Sequence, residues 1–269
     1  MADLSRFEGK VALITGAAQG IGEATARLLA ERGIAGLVLT DRQPARLAAV
    51  AASLREVTKV EEVVADLGEH EAVEGIVPAA ERAFGGVDIL VNVGAKTDRG
   101  SIIDTDLALF DEMFTINVRA PFFLMQGVLR LMRANGVEGS IVNVLSVNAH
   151  GGSPQLAAYS ASKGALATLT KNVANAMLYD RIRVNGIQLG WTETPGEHDV
   201  IRRSGQGGDD WLERASAGRP RGRLIQPEEV ARLIAILASA ESGVMTGALI
   251  DFDQHVVGLH AAPEQHLRS

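Results

Sequence analysis

Short apolar runs alternate with longer segments of helical spacing along most of this chain. The runs at 11–15, 37–40, 62–65, 89–93, 141–145, 183–188 and 248–252 read as strands. Residues 21–32, 45–55, 73–84, 107–135, 157–178 and 227–238 carry apolar side chains at helical intervals. Such alternation leaves few folds open. Parallel strands need long crossovers, and helical crossovers cover the faces of the sheet they connect. The pattern predicts an α/β fold: a doubly wound parallel sheet of about seven strands with helices on both faces. No linker, repeat or low-complexity block interrupts it, so residues 1–269 are expected to form a single domain. Pro121 lies inside the 107–135 segment and predicts a kink or break there. Pro227 followed by Glu228 and Glu229 marks a helix start.

One stretch departs from the rhythm. Between 193 and 226 the periodicity lapses, and Gly205, Gly207 and Gly208 precede Asp209, Asp210 and Trp211. Long irregular segments in compact domains are commonly lids, and Trp211 with Leu212 gives this one an apolar face to close with. A substrate lid over 193–226 is the expectation. The tail 261–269 is polar and patternless and is expected to fray.

Composition excludes several function classes. A net charge of −7 with scattered basic residues offers no field for nucleic acid. The absence of cysteine removes disulfides, thiol nucleophiles and zinc–thiolate sites. Residues 1–10 mix charges and lead straight into a strand, unlike a signal peptide, and no apolar run spans a bilayer. A soluble cytoplasmic protein is the expectation, with no metal and no membrane partner.

The turn between the first strand and helix reads Thr15-Gly16-Ala17-Ala18-Gln19-Gly20-Ile21-Gly22. Glycines permit a tight turn and close backbone approach, and the helix N-terminus presents unpaired N–H groups to a pyrophosphate. This identifies Gly16, Gln19, Gly20, Ile21 and Gly22 as a dinucleotide cradle of a Rossmann-type sheet. Asp41 ends the second strand, where a carboxylate accepts hydrogen bonds from a ribose diol and repels a 2′-phosphate. The cofactor expected is therefore NAD rather than NADP. Arg42 follows and is placed to stack on adenine, while Asp66 and Leu67 close the third strand beside it.

The stretch 140–163 carries the chemistry. Ser146 ends a strand, and Tyr159 and Lys163 lie four apart on one helix face. Hydride transfer at a carbon bearing oxygen needs a matched proton transfer at that oxygen. A phenol titrates near 10, so a base near neutrality needs a shift of roughly three units, about 4 kcal/mol. A lysine ammonium one turn away would supply it. Tyr159 is the expected general acid/base, with Lys163 as its electrostatic partner and Ser146 holding the substrate oxygen.

These residues resemble the short-chain dehydrogenase/reductase superfamily, in its short single-domain branch. The resemblance runs through 15–22, Asp41, Asp66, Asn92, Asn117, Ser146, Tyr159, Lys163, Asn185, Gly190, Thr194 and 226–231. It implies that Lys163 also holds the nicotinamide ribose and that Asn117 anchors a water relaying protons. It implies cofactor contacts at Asn92, Gly94, Thr192 and Thr194, and assembly as a homotetramer or dimer. The chain departs from the family pattern at Val93, Leu189 and Gln254.

Asn148, His150, Gln155 and Glu193, with His198, make the expected pocket polar, and Trp191 and Trp211 wall it. Ser146 and Tyr159 complete its substrate side. Aromatic residues are only 4% of the chain, too few for a steroid or long acyl pocket. The expected substrate is small and polar, such as a sugar or polyol. Two alternatives are an NADP-dependent reductase of a bulkier or acyl-bound ketone, and a non-catalytic dinucleotide sensor or scaffold.

Overall fold

A computed structural model describes residues 3–205 and 207–258. Seven strands form one parallel sheet in the order β3-β2-β1-β4-β5-β6-β7. They are β1 Val11–Thr15, β2 Gly36–Asp41, β3 Lys59–Val64, β4 Ile89–Asn92, β5 Ser140–Val144, β6 Arg183–Leu189 and β7 Leu249–Phe252. The helices are α1 Gly20–Glu31, α2 Pro44–Leu54, α3 His70–Phe84, α4 Leu107–Phe114, α5 Ala120–Ala134, α6 Ala157–Ala176, α7 Pro195–Ser204, α8 Trp211–Ala217 and α9 Pro227–Ala238.

Near-continuous apolar strands are what a sheet buried on both faces requires. Successive side chains point to opposite faces, so each strand feeds two cores. Ala12, Ile14, Leu37, Leu39, Ile89, Val91, Val142 and Val144 pack under α1, α2 and α9. Their neighbours Leu13, Val38, Leu90 and Ile141 face α3, α5 and α6. Strand order reverses between β1 and β4, which opens a crevice at the carboxyl ends of these strands.

Three expectations change. The third strand begins at Lys59, ahead of the expected 62, because β3 is an edge strand whose Glu61 and Glu62 are only half-buried. Charged residues on an edge also discourage sheet-to-sheet pairing. The segment 193–226 is not irregular throughout: it holds α7 and α8. The chain stays helical through Pro121, and the disturbance is a π-helical turn, Thr115–Arg119, just before it. Proline has no N–H to offer the carbonyl four residues back, that of Asn117, and its ring crowds that carbonyl. The wider turn accommodates this, with the Ala120 N–H donating to the Thr115 carbonyl. The tail 261–269 lies outside the described residues.

Candidate active site

A cavity of about 1300 Å³ lies along the carboxyl ends of the strands. Gly16, Gln19, Gly20 and Ile21 enter it after β1, and Asp41 and Arg42 at the end of β2. Asp66 and Leu67 follow β3, Gly94 follows β4, Ser146 follows β5, and Thr192 and Thr194 follow β6.

The glycine turn is built for close backbone approach. A Cβ on Gly16 would lie 2.9 Å from Gly94 Cα, and Gly16 and Gly20 both have positive φ, 66° and 58°. Gly22 faces inward, where a Cβ would come 2.1 Å from the Gly16 carbonyl oxygen. It therefore packs the turn against α1 and does not line the cavity. Gln19, the residue before α1, has extended backbone, and its side chain accepts a hydrogen bond from Arg46. Asp41 accepts from the backbone N–H groups of Ala18, 3.2 Å, and Gln43, 3.0 Å, so its carboxylate is fixed at the cavity wall. Arg42 lies 3.8 Å from Asp66, whose other oxygen accepts from the Gly68 N–H. This donor set and the space a Cβ would fill fit a dinucleotide.

Ser146, Tyr159 and Lys163 reach the same cavity. Ser146 ends the strand and caps the short turn Val147–His150, its hydroxyl accepting from the Asn148 N–H at 3.2 Å. Tyr159 and Lys163 share a face of α6. The Lys163 Nζ lies 5.9 Å from the Tyr159 ring centre and donates to the Val144 carbonyl at 2.8 Å. Burial pushes the phenol up to about 12; the nearby Ser146 hydroxyl and Arg99 pull it down, and Glu197 pushes it up. Burial lowers Lys163 to about 8. The expected depression of the phenol is thus reversed in this structure. Desolvation outweighs the lowering by Ser146 and Arg99, and Lys163 commits one of its three N–H donors to the Val144 carbonyl.

Asn117 is buried in the π-helical turn and does not line the cavity. Its side chain closes a two-way bridge to Lys96, accepting from the N–H at 2.8 Å and donating to the carbonyl at 2.9 Å. It also donates to Ser162 Oγ, which donates in turn to the Tyr159 carbonyl at 2.8 Å. Asn117 therefore ties the cavity wall after β4 to the turn of α6 that carries Tyr159. Asn92 is buried away from the cavity on Asn143, 2.8 Å.

On the substrate side, Asn148, Gln155, Trp191 and Trp211 line the cavity as expected. His150, Glu193 and His198 do not. His150 turns to the far end of the sheet, with Nε2 2.7 Å from Asp251 and 2.8 Å from the Gln188 amide. Glu193 accepts from Gln226 and sits 3.5 Å from His198. An acid the sequence reading did not name, Glu197, does line the cavity. It accepts from Trp191 Nε1 at 2.8 Å and from Arg99 at 2.5 Å, and both ion-pair partners are mostly buried. Sequence reading missed this pair because its members are 98 residues apart. One signal was available: Thr194-Pro195-Gly196-Glu197 spells a helix start, and the Thr194 hydroxyl caps α7 by accepting from the Glu197 N–H.

The family described as enoyl-(acyl carrier protein) reductase matches residues 16–256. The chain is similar to the cis-4-hydroxycyclohexanecarboxylate dehydrogenase of Sinomonas cyclohexanicum, 35% identical over 92% of this chain and 96% of that protein. It is 32% identical to the galactitol 2-dehydrogenase of Agrobacterium fabrum over 92% of this chain and 97% of that one. Its fold matches the L-sorbose reductase of Gluconobacter frateurii complexed with NADPH and L-sorbose. That match has TM-score 0.89 and 30% identity, covering 96% of this chain and 100% of that one. The chain belongs to the short-chain dehydrogenase/reductase superfamily. It is an NAD(P)-dependent oxidoreductase.

The short-chain dehydrogenase/reductase frame gives its departures a local explanation. At Val93, the backbone N–H groups of Val93 and Gly94 both donate to Thr15 Oγ1, each at 3.0 Å. At Leu189, the strand continues regularly into Gly190, whose missing Cβ makes room for Asp253. Gln254 ties the end of the 193–226 segment to the strand end after β7. It accepts from the Arg221 N–H at 3.0 Å and donates to the Arg223 carbonyl at 2.7 Å. Among the described residues no helix is long and apolar enough to cross a membrane.

Proposed function

We propose that this enzyme interconverts a secondary alcohol and its ketone with NAD, on a small polyhydroxylated substrate such as a sugar or polyol. The observation that carries the reading is the half-buried Tyr159 phenol, facing with Ser146 the same cavity that the glycine turn opens into. When bound, the cofactor supplies the hydride for reduction or accepts it in oxidation. The turn 16–21, Asp41, Asp66, Leu67, Gly94, Lys163, Thr192 and Thr194 would hold it.

In the reductive direction Ser146 donates a hydrogen bond to the substrate carbonyl and polarises it. As hydride reaches the carbonyl carbon, the carbonyl π pair takes the Tyr159 proton and becomes a hydroxyl. The phenolate left behind is stabilised by the Lys163 ammonium. Oxidation reverses each transfer. Asn117 acts through its bridges as a positioning residue for Tyr159. Around the reacting point, Asn148, Gln155, Arg99 and Glu197 present donors and acceptors suited to several hydroxyls. The galactitol and L-sorbose enzymes among its relatives support that class. The segment 193–226 serves as the lid.

The fixed Asp41 carboxylate supports NAD. A second reading, NADP, has Arg42 and Arg46 beside it and the NADPH of the L-sorbose reductase in its favour. Rates with NADH and NADPH across a panel of ketoses and hydroxy acids decide between them: a higher kcat/KM with NADPH would overturn the preference. Tyr159→Phe is expected to lower kcat at least about a thousandfold while the cofactor dissociation constant stays within about threefold. Surviving turnover would remove Tyr159 from its role.

A further inference from the structure

We propose that the substrate carries a carboxylate and that Arg219 is the residue that reads it. The inference rests on the secondary-alcohol reading and narrows its substrate from polyols at large to sugar acids and related hydroxy acids.

The cations around the cavity are almost all neutralised. Lys96 lies 3.1 Å from Asp98 and 3.0 Å from Glu112, and Arg203 lies 3.5 Å from Asp98. Arg99 pairs with Glu197, Arg214 with Asp210 and Arg42 with Asp66. Lys163 is held by the Val144 carbonyl. Arg219 differs. It lines the same cavity, and its guanidinium lies 5.3 Å from the Trp191 ring centre, with no acidic partner among the described residues.

Position makes this charge meaningful. Trp191 lines the cavity, its Nε1 donates to Glu197, and Glu197 is one of the groups whose charge acts on the Tyr159 phenol. Arg219 thus stands one indole away from a group that bears on the reacting phenol. Stacking on an aromatic face orients the guanidinium plane and leaves its N–H edge available for a bidentate carboxylate. Glu197, the acid that accepts from Trp191, is already paired with Arg99. A neutral polyol would leave the Arg219 charge unanswered in a partly enclosed cavity.

Intrinsic fluorescence reads this site directly, because the chain's two tryptophans, Trp191 and Trp211, both line it. The enzyme is saturated with oxidised cofactor and titrated with 5-ketogluconate or with fructose. Oxidised cofactor cannot reduce either ketone, so binding is read apart from reduction. The keto acid is expected to bind roughly tenfold to a hundredfold more tightly, the worth of a charge-assisted hydrogen bond. Arg219→Gln should shrink that gap to under about threefold, and Arg219→Lys should restore much of it. Equal affinities in the wild type, a gap that survives Arg219→Gln, or no binding of the keto acid would each overturn the assignment. Turnover is scored separately with NADH and NADPH. A keto acid that binds through Arg219 but is never reduced would sink the secondary-alcohol reading and leave the carboxylate site standing.

Discussion

Tyr159 is half-buried beside the buried Lys163, and desolvation moves them in opposite directions, the phenol up to about 12 and the ammonium down to about 8. The phenol stays protonated across ordinary pH and is ready to act as an acid. The lysine charge is present below about pH 8 and lost above it. Reductive kcat is therefore expected to be flat up to about pH 8 and to fall beyond it, as the phenolate loses its stabilising charge. A pH–rate profile checks this, and Lys163→Met should lose the limb together with most of the rate. A profile that rises through pH 8 would show that another group governs the step. At this scale the reacting trio was legible because its spacing repeats a chemical need: a strand-end hydroxyl and two groups one turn apart. The Arg99–Glu197 pair and Arg219 were not, since only the folded chain brings them beside Trp191. His150 misled for the converse reason. Closeness in sequence to Ser146 says nothing about which way a side chain leaves a tight turn.

Among the elements, the strands and long helices were legible because a doubly covered sheet imposes an apolar period few sequences imitate. What escaped were the short helices α7 and α8 and the charged first half of the edge strand β3. Neither is held by a long apolar stripe: α8 has no buried residue, and α7 buries only Val200 and Ile201. Such helices depend on their ends. Thr194 starts α7 as its N-cap, with Pro195 as the next residue. Thr194→Ala should cost about 1 kcal/mol locally. Because Glu197 sits in that first turn, the loss should appear as a raised KM with kcat little changed, while the melting temperature moves by only a few degrees. A fall in kcat with KM constant would mean that Thr194 acts at the reacting centre instead.

For the whole molecule, large apolar side chains remain exposed on several surfaces, among them Ile102 and Ile103, and two of these surfaces are helical or edge faces. Phe110 on α4 and Phe122 and Phe123 on α5 are about two-fifths exposed, and Val244 and Met245 lie exposed just before the edge strand β7. Contiguous apolar surface marks association sites, and Phe122 packs edge-on against Phe123 at 5.3 Å between ring centres. These are the faces expected at the subunit interfaces of the homotetramer or dimer that the family resemblance implies. Phe122→Glu is expected to reduce the mass measured by light scattering by half or more, and an unchanged mass would remove the α5 face from the assembly. The active-site cavity draws on the ends of β1 through β6, so its shape is a property of the entire sheet.

The π-helical turn Thr115–Arg119 is, in effect, a helix carrying one residue too many. Each residue of an α-helix advances the phase by about 100°. Deleting a single residue from this turn would therefore give a more regular rod from α4 to α5, one that still fills the core. It would also swing either Asn117 or the α5 apolar face out of phase with the rest. The extra residue decouples two rotational settings: α5 keys to the sheet, while Asn117 keys to Lys96 and Ser162. A chain that lost it would face a choice between a sound core and an aligned tyrosine.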